Sequence, residues 1–127
     1  MPVAHWSNRN SSTGKRSERQ AEQFLRTHGL TMVKRNFRCK AGEIDLIMRD
    51  GAALVFVEVR HRSNRQFADG AESVDWHKQQ KLIRTASHFL ATHPRYNDCS
   101  CRFDVIAANA DDAEPQWYQN AFDSSTY

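Results

Sequence analysis

The chain has 127 residues, 39% of them hydrophobic and 26% charged, with a formal net charge of +3. That length supports one hydrophobic core and is too short for two, so a single domain is expected. The longest apolar run, residues 52–57, falls far short of a bilayer span, and the first residues hold no hydrophobic segment of the signal-peptide kind, so the protein is expected to be soluble, cytoplasmic and without a membrane partner.

Residues 1–14 are polar and aperiodic and are expected to form a flexible amino-terminal arm, leaving 15–127 as the domain. The first helix is predicted over residues 15–28, where Ala21, Phe24, Leu25 and His28 recur at helical spacing and Gly29 closes the run. Glu18 falls on the apolar side of that helix. It is either a first-turn acid favoured by the helix dipole or a carboxylate aimed at a site on the sheet. A first strand is predicted over residues 30–38.

Two further strands, residues 43–48 and 54–60, flank a turn with Asp50-Gly51 at its centre, the chemistry of an antiparallel hairpin. Each strand carries a carboxylate inside an otherwise apolar run: Asp45 in the first and Glu58 in the second. A buried carboxylate costs several kcal/mol or more unless a cation, a metal or strong donors compensate. A two-residue loop at Asp50 and Gly51 sets Asp45 opposite Phe56 and diagonal to Glu58, and a four-residue loop sets Asp45 and Glu58 face to face. Either register puts both acids on one face, roughly 5 to 8 Å apart, close enough to share a divalent cation. By the same alternation Arg60 joins Glu58 and Glu43 joins Asp45, while Ile44, Leu46, Met48, Val55, Val57 and Val59 form an apolar face that helices must cover. The alternative is an ion-pair network in which Asp45 and Glu58 satisfy Arg60, Arg62 or Arg38.

Residues 63–70 are polar and are expected to form a mobile loop near bound substrate. The second helix, residues 75–92, divides into an apolar stripe of Leu82, Ile83, Ala86, Phe89 and Leu90 and a basic one of His77, Lys78, Lys81, Arg84 and His88. Lys78 lies in the first turns, where a cation opposes the helix dipole, so a phosphate partner would account for it. Cys39, Cys99 and Cys101 do not match common structural zinc spacings and are expected to be free thiols. A fourth strand over residues 102–107 contains Asp104, expected to partner an arginine, and a last short strand or helix runs over 117–122. Trp6, Trp76 and Trp117 are too scattered for a base-stacking platform. Residues 1–84 hold 16 Lys and Arg against 9 acids and residues 85–127 hold 2 against 6, so the basic half contains the acid pair, as a polyanion-binding surface around a metal would require.

An acid in one strand, a turn, and Glu58-Val59-Arg60 in the next resemble the PD-(D/E)XK nuclease pattern, without its Pro and with Arg60 where Lys is usual. A closer resemblance covers almost the whole chain. Glu18-Arg19-Gln20-Ala21, Asn36-Phe37-Arg38-Cys39, Gly42-Glu43-Ile44-Asp45-Leu46-Ile47, Phe56-Val57-Glu58-Val59-Arg60-His61-Arg62, Glu72-Ser73-Val74, Lys78, Cys101-Arg102-Phe103-Asp104-Val105-Ile106 and Asn120-Ala121-Phe122 together resemble the bacterial YraN family, whose nuclease-like fold is similar to that of Holliday-junction resolvases. Ser17 departs from it, standing where the family usually has Gly.

The resemblance implies an α/β restriction-endonuclease-like domain: a mixed sheet of four or five strands flanked by helices, with an αβββαβ core. It also implies Mg²⁺ or Mn²⁺ held by Asp45, Glu58 and the Val59 backbone carbonyl, with Glu18 adding a direct or water-mediated contact and Arg60 in the position of the motif lysine. On that basis Glu18, Asp45, Glu58 and Arg60 are the catalytic candidates, and Arg38, Lys40, Arg62, Ser73, Lys78 and Lys81 are the candidate nucleic-acid contacts. The expected function is nucleic-acid binding, DNA before RNA, with metal-dependent phosphodiester hydrolysis. A binding module or adaptor with little or no hydrolysis is the alternative, and a homodimer like that of the resolvases is left open.

Overall fold

The computed structural model describes residues 12–62, 74–109 and 114–123, in the order α1 (Ser12–Thr27), β1 (Thr31–Cys39), β2 (Gly42–Asp50), β3 (Ala53–Arg62), α2 (Trp76–Thr92), a 3-10 turn (Pro94–Tyr96), β4 (Ser100–Asn109) and β5 (Gln116–Phe122). The five strands form one mixed sheet in the order β1-β2-β3-β4-β5, antiparallel except for the parallel pair β3 and β4. The helix between β3 and β4 makes that parallel connection possible. A helix on each face completes an α/β architecture consistent with the restriction-endonuclease-like fold. The first helix begins at Ser12, so residues 12–14 belong to it and not to the expected arm. The last element is a strand, which adds a fifth member to the expected core. The expected loop at residues 63–70, Ser73 and the rest of the arm lie outside the described residues.

Local chemistry accounts for the ends of the helices. Gly29, at φ +95°, follows α1, and the Leu30 and Gly29 N–H groups donate to the carbonyls of Leu25 and Arg26 at 3.1 and 3.0 Å. This is a left-handed closure that glycine adopts without penalty. Asp75 caps α2, its carboxylate accepting the Lys78 N–H at 2.9 Å.

Each face of the sheet carries its own core. Ala21, Leu25 and Leu30 pack on Leu46, Met48, Val55, Val57 and Ile106 beneath α1. On the other face Leu82, Ala86 and Phe89 of α2 pack on Phe37, Ile44, Ile47, Leu54, Phe56, Phe103 and Val105. A fully buried side chain such as Phe56 or Phe89 contributes about 1.5–3 kcal/mol.

Ile44 was expected beside Leu46 and Met48, yet it lies on the α2 face with Ile47. The alternation breaks at the level of Asn36, which has φ +51° in β1 and is flanked by the cross-strand pairs Arg35 with Leu46 and Phe37 with Ile44. One left-handed residue turns the following side chains to the other face, as a bulge does. Arg35 therefore reaches Glu22 on α1 while Phe37 enters the core under α2. Asp45 sits at this break.

Candidate metal centre and nucleic-acid interface

The hairpin loop consists of Gly51, at φ +61°, and Ala52, because Asp50 pairs with Ala53. It is two residues long, as in one of the two expected loops, but one position later. With that shift the paired register runs from Asp50 with Ala53 to Leu46 with Val57. Asp45 and Glu58 each lie one residue beyond the last partners of that register, Leu46 and Val57. Both are buried, at 0% and 3% exposure.

Asp45 Oδ2 accepts the Val59 N–H at 2.8 Å, which joins the acid of β2 to the backbone of β3. Glu58 Oε2 lies 3.4 Å from the Lys78 ammonium and 3.8 Å from Arg60 Nη1. Both cations are about one-third exposed, so they link a buried carboxylate to the solvent side of the sheet. Lys78 approaches from α2, across the chain from the motif. The closer cation at Glu58 is therefore a lysine after all, supplied by the helix and not by the motif strand.

Glycine at position 42 makes the approach of that helix possible. A Cβ there would lie 3.0 Å from Thr85 Oγ1 and 3.9 Å from Lys81 Cβ, and φ is +154°. The start of β2 thus runs close under α2, with exposed Lys40 just before it and exposed Lys81 above it. Arg38, also exposed, reaches Glu43 at 3.4 Å. Arg62 closes β3.

Glu18 lies on α1. Its Oε1 accepts Asn36 Nδ2 at 3.0 Å, so α1 is bonded to the left-handed residue at the break in β1. Among the described residues no three of His, Cys, Asp and Glu gather into a group able to hold a metal ion. Ser17, four residues ahead of Ala21, is buried and shares a 2.8 Å hydrogen bond with His61 Nδ1 at the end of β3. That link ties α1 to the strand carrying Glu58 and Arg60. Its one trace in the sequence is the departure from glycine at position 17.

Two other carboxylates have fully structural surroundings. Glu22 accepts Arg35 Nε and Nη2 at 2.8 and 2.7 Å and Arg26 Nε at 2.9 Å. The Arg35 hydrogen bonds hold its carboxyl below the usual range against the opposing effect of burial. Asp104 accepts Arg102, the Trp117 indole N–H at 2.9 Å and the Asn120 N–H at 2.9 Å, and so is an arginine partner as expected. Arg102 also pairs with Asp50 at 3.0 Å. Cys39, Cys99 and Cys101 are free thiols. Among the described residues no helix is long and apolar enough to cross a membrane.

The sequence pattern of the uncharacterised protein family UPF0102 matches residues 17–108. A UPF0102 protein of Nitrosospira multiformis is 50% identical over 111 residues, covering 87% of this chain and 92% of its own. Another from Alcanivorax borkumensis is 47% identical over 114 residues, covering 87% of this chain and 91% of its own. One from Legionella pneumophila is 43% identical over 111 residues, covering 87% and 94%. With its pattern matched across both helices and four of the five strands, the chain belongs to UPF0102, the YraN family.

Proposed function

We propose that the domain binds nucleic acid, DNA in the first instance, on the basic surface around Glu58 and hydrolyses a phosphodiester bond there with Mg²⁺ or Mn²⁺. The observation that carries this reading is two buried acids on adjacent strands, Asp45 and Glu58, each one residue beyond the Leu46 and Val57 partners, with two part-exposed cations converging on Glu58. The donor set fits the metal. Mg²⁺ prefers oxygen ligands and is commonly held by one or two carboxylates with water in its other positions, so Asp45 and Glu58 would hold it, with the Val59 carbonyl as a further oxygen. When bound, the cation polarises the scissile phosphate and lowers the pKa of its water.

The chain's own groups do the rest. The Val59 N–H orients Asp45, and Lys78 brings compact N–H donors to Glu58, where they can orient an attacking water and balance phosphate charge. Arg60 is permanently protonated, so it serves as a phosphate clamp and not as a base. Glu18 acts through Asn36, holding the break in β1 beside Asp45. Arg38, Lys40, Arg62, Lys81 and Ser73 extend the footprint for the anionic backbone. The second reading, a binding module without hydrolysis, is favoured by one observation: Glu58 already has ammonium and guanidinium partners, as in a purely structural ion pair.

Calorimetric Mn²⁺ titration of wild type, Asp45→Asn and Glu58→Gln tests the centre. Binding by wild type and loss in both variants is expected, and equal binding by all three would sink the assignment. Cleavage of supercoiled, single-stranded and branched DNA with Mg²⁺ and Mn²⁺ then separates the two readings. Arg60→Lys is expected to maintain or raise cleavage, while Arg60→Ala and Lys78→Ala lose it. Metal binding with no cleavage of any substrate by wild type or Arg60→Lys leaves the binding module.

A further inference from the structure

Among the described residues one large hydrophobic side chain is exposed, Trp76, with 52% of its surface in solvent. Trp117, by contrast, donates to Asp104 and packs edge-on against Phe24 at 6.1 Å. Trp76 is the first residue of α2, two positions before the lysine that reaches Glu58. Its ring stands edge-on to His77, with centroids 5.2 Å apart. His77 heads a row with Lys81, Arg84 and His88, at spacings of four, three and four, and all four are exposed. Such spacing places them on one face of the helix, over about 16 Å of its length. The acid at this end of the helix is the cap, Asp75, whose carboxylate accepts the Lys78 N–H, and the first turn itself adds none.

We propose that Trp76 stacks on an unpaired base of a DNA strand whose phosphates run along this basic face, next to the Asp45 and Glu58 pair. This rests on the nucleic-acid reading above and deepens it by naming the substrate class: DNA with a single-stranded or flapped segment at the site. An exposed tryptophan beside a row that carries the cations Lys81 and Arg84 suits a nucleobase better than an apolar protein surface. The row attracts the backbone, and the indole face accepts any base, which is how single strands are held without sequence preference. A paired base has its faces covered within the duplex, so one tryptophan at the head of the row selects for bases already out of the stack. What scattered spacing in the sequence hides is that a single wedge needs no second aromatic.

The test compares binding of the full chain, without divalent metal, to a blunt DNA duplex, to the same duplex with a three-nucleotide flap, and to that flap made abasic. Wild type is expected to prefer the intact flap. Trp76→Ala should lose roughly tenfold on the intact flap and nothing on the blunt duplex, with Trp76→Phe recovering most of the loss. The abasic flap should cost wild type a similar factor and Trp76→Ala nothing further. Lys81→Ala should weaken all three and lower the salt slope by about 1. If Trp76→Ala weakens flap and duplex alike, or neither, while wild type retains a steep salt dependence, stacking is overturned and the nucleic-acid reading stands. If wild type binds none of the three, both fall.

Discussion

Asp104 and Glu58 are about equally buried, at 1% and 3% exposure, yet they sit in different kinds of surroundings. Asp104 is enclosed by fixed donors: Arg102, itself held by Asp50, the Trp117 indole, and the Asn120 backbone N–H. Asn120 has φ +52°, so this carboxylate also holds β5 through a left-handed residue. Glu58 is served by the ends of two long, part-exposed side chains at 3.4 and 3.8 Å. Burial alone therefore does not mark a functional acid. The exposure of the cations beside the acid is what differs: Arg102 at 19% beside Asp104, against 30% for Lys78 and 33% for Arg60 beside Glu58.

The largest expected effect tests the structural side. Asp104→Asn replaces an acceptor with an amide that points N–H groups at Arg102 and Trp117, leaving a buried cation poorly compensated. A loss of about 3–5 kcal/mol in urea unfolding is expected, with the salt slope for DNA unchanged per folded molecule. A loss below that of Glu58→Gln would break the contrast.

The intermediate effect comes from Glu22. Its folded carboxyl titrates below the unfolded value, chiefly through the Arg35 hydrogen bonds. Its contribution is thus fully present above the unfolded pKa, near 4.5, and is lost as the pH falls through the lower folded value. Arg35 is 56% exposed, so screening keeps the amount to about 1 kcal/mol. Stability profiles of wild type and Glu22→Gln should converge in acid and separate above pH 5; parallel profiles would show that the pair carries no linkage.

The smallest effect sharpens the functional side. Glu58→Gln leaves Lys78 and Arg60 able to return to water, so it should cost no more than about 1 kcal/mol in metal-free solution. The same variant should lose Mn²⁺ binding altogether. A loss of several kcal/mol without metal would mean that Glu58 is a structural acid of the Asp104 kind.

Much of this arrangement was legible along the chain because it rests on local rules. Period-two alternation and turn chemistry predict the hairpin, with its loop one position off, and helical spacing predicts both helices to within a few residues. Asp104 as an arginine partner follows from Arg102 two positions away on the same strand face. The side of the sheet taken by Ile44 did not follow, because one left-handed residue in the neighbouring strand resets the alternation and no propensity assigns that conformation to Asn36.

What the chain determined by itself is therefore the set of elements and the acids they carry, since turn chemistry and periodicity act between residues close in sequence. Which groups meet those acids was decided by tertiary structure alone. Lys78 reaches Glu58 across 20 positions, Ser17 reaches His61 across 44, and Glu18 reaches Asn36 across 18. Each of these contacts exists because a helix docks on the sheet at one depth and angle, set by the packing of whole faces such as Leu82, Ala86 and Phe89 on Phe56, which no short segment encodes.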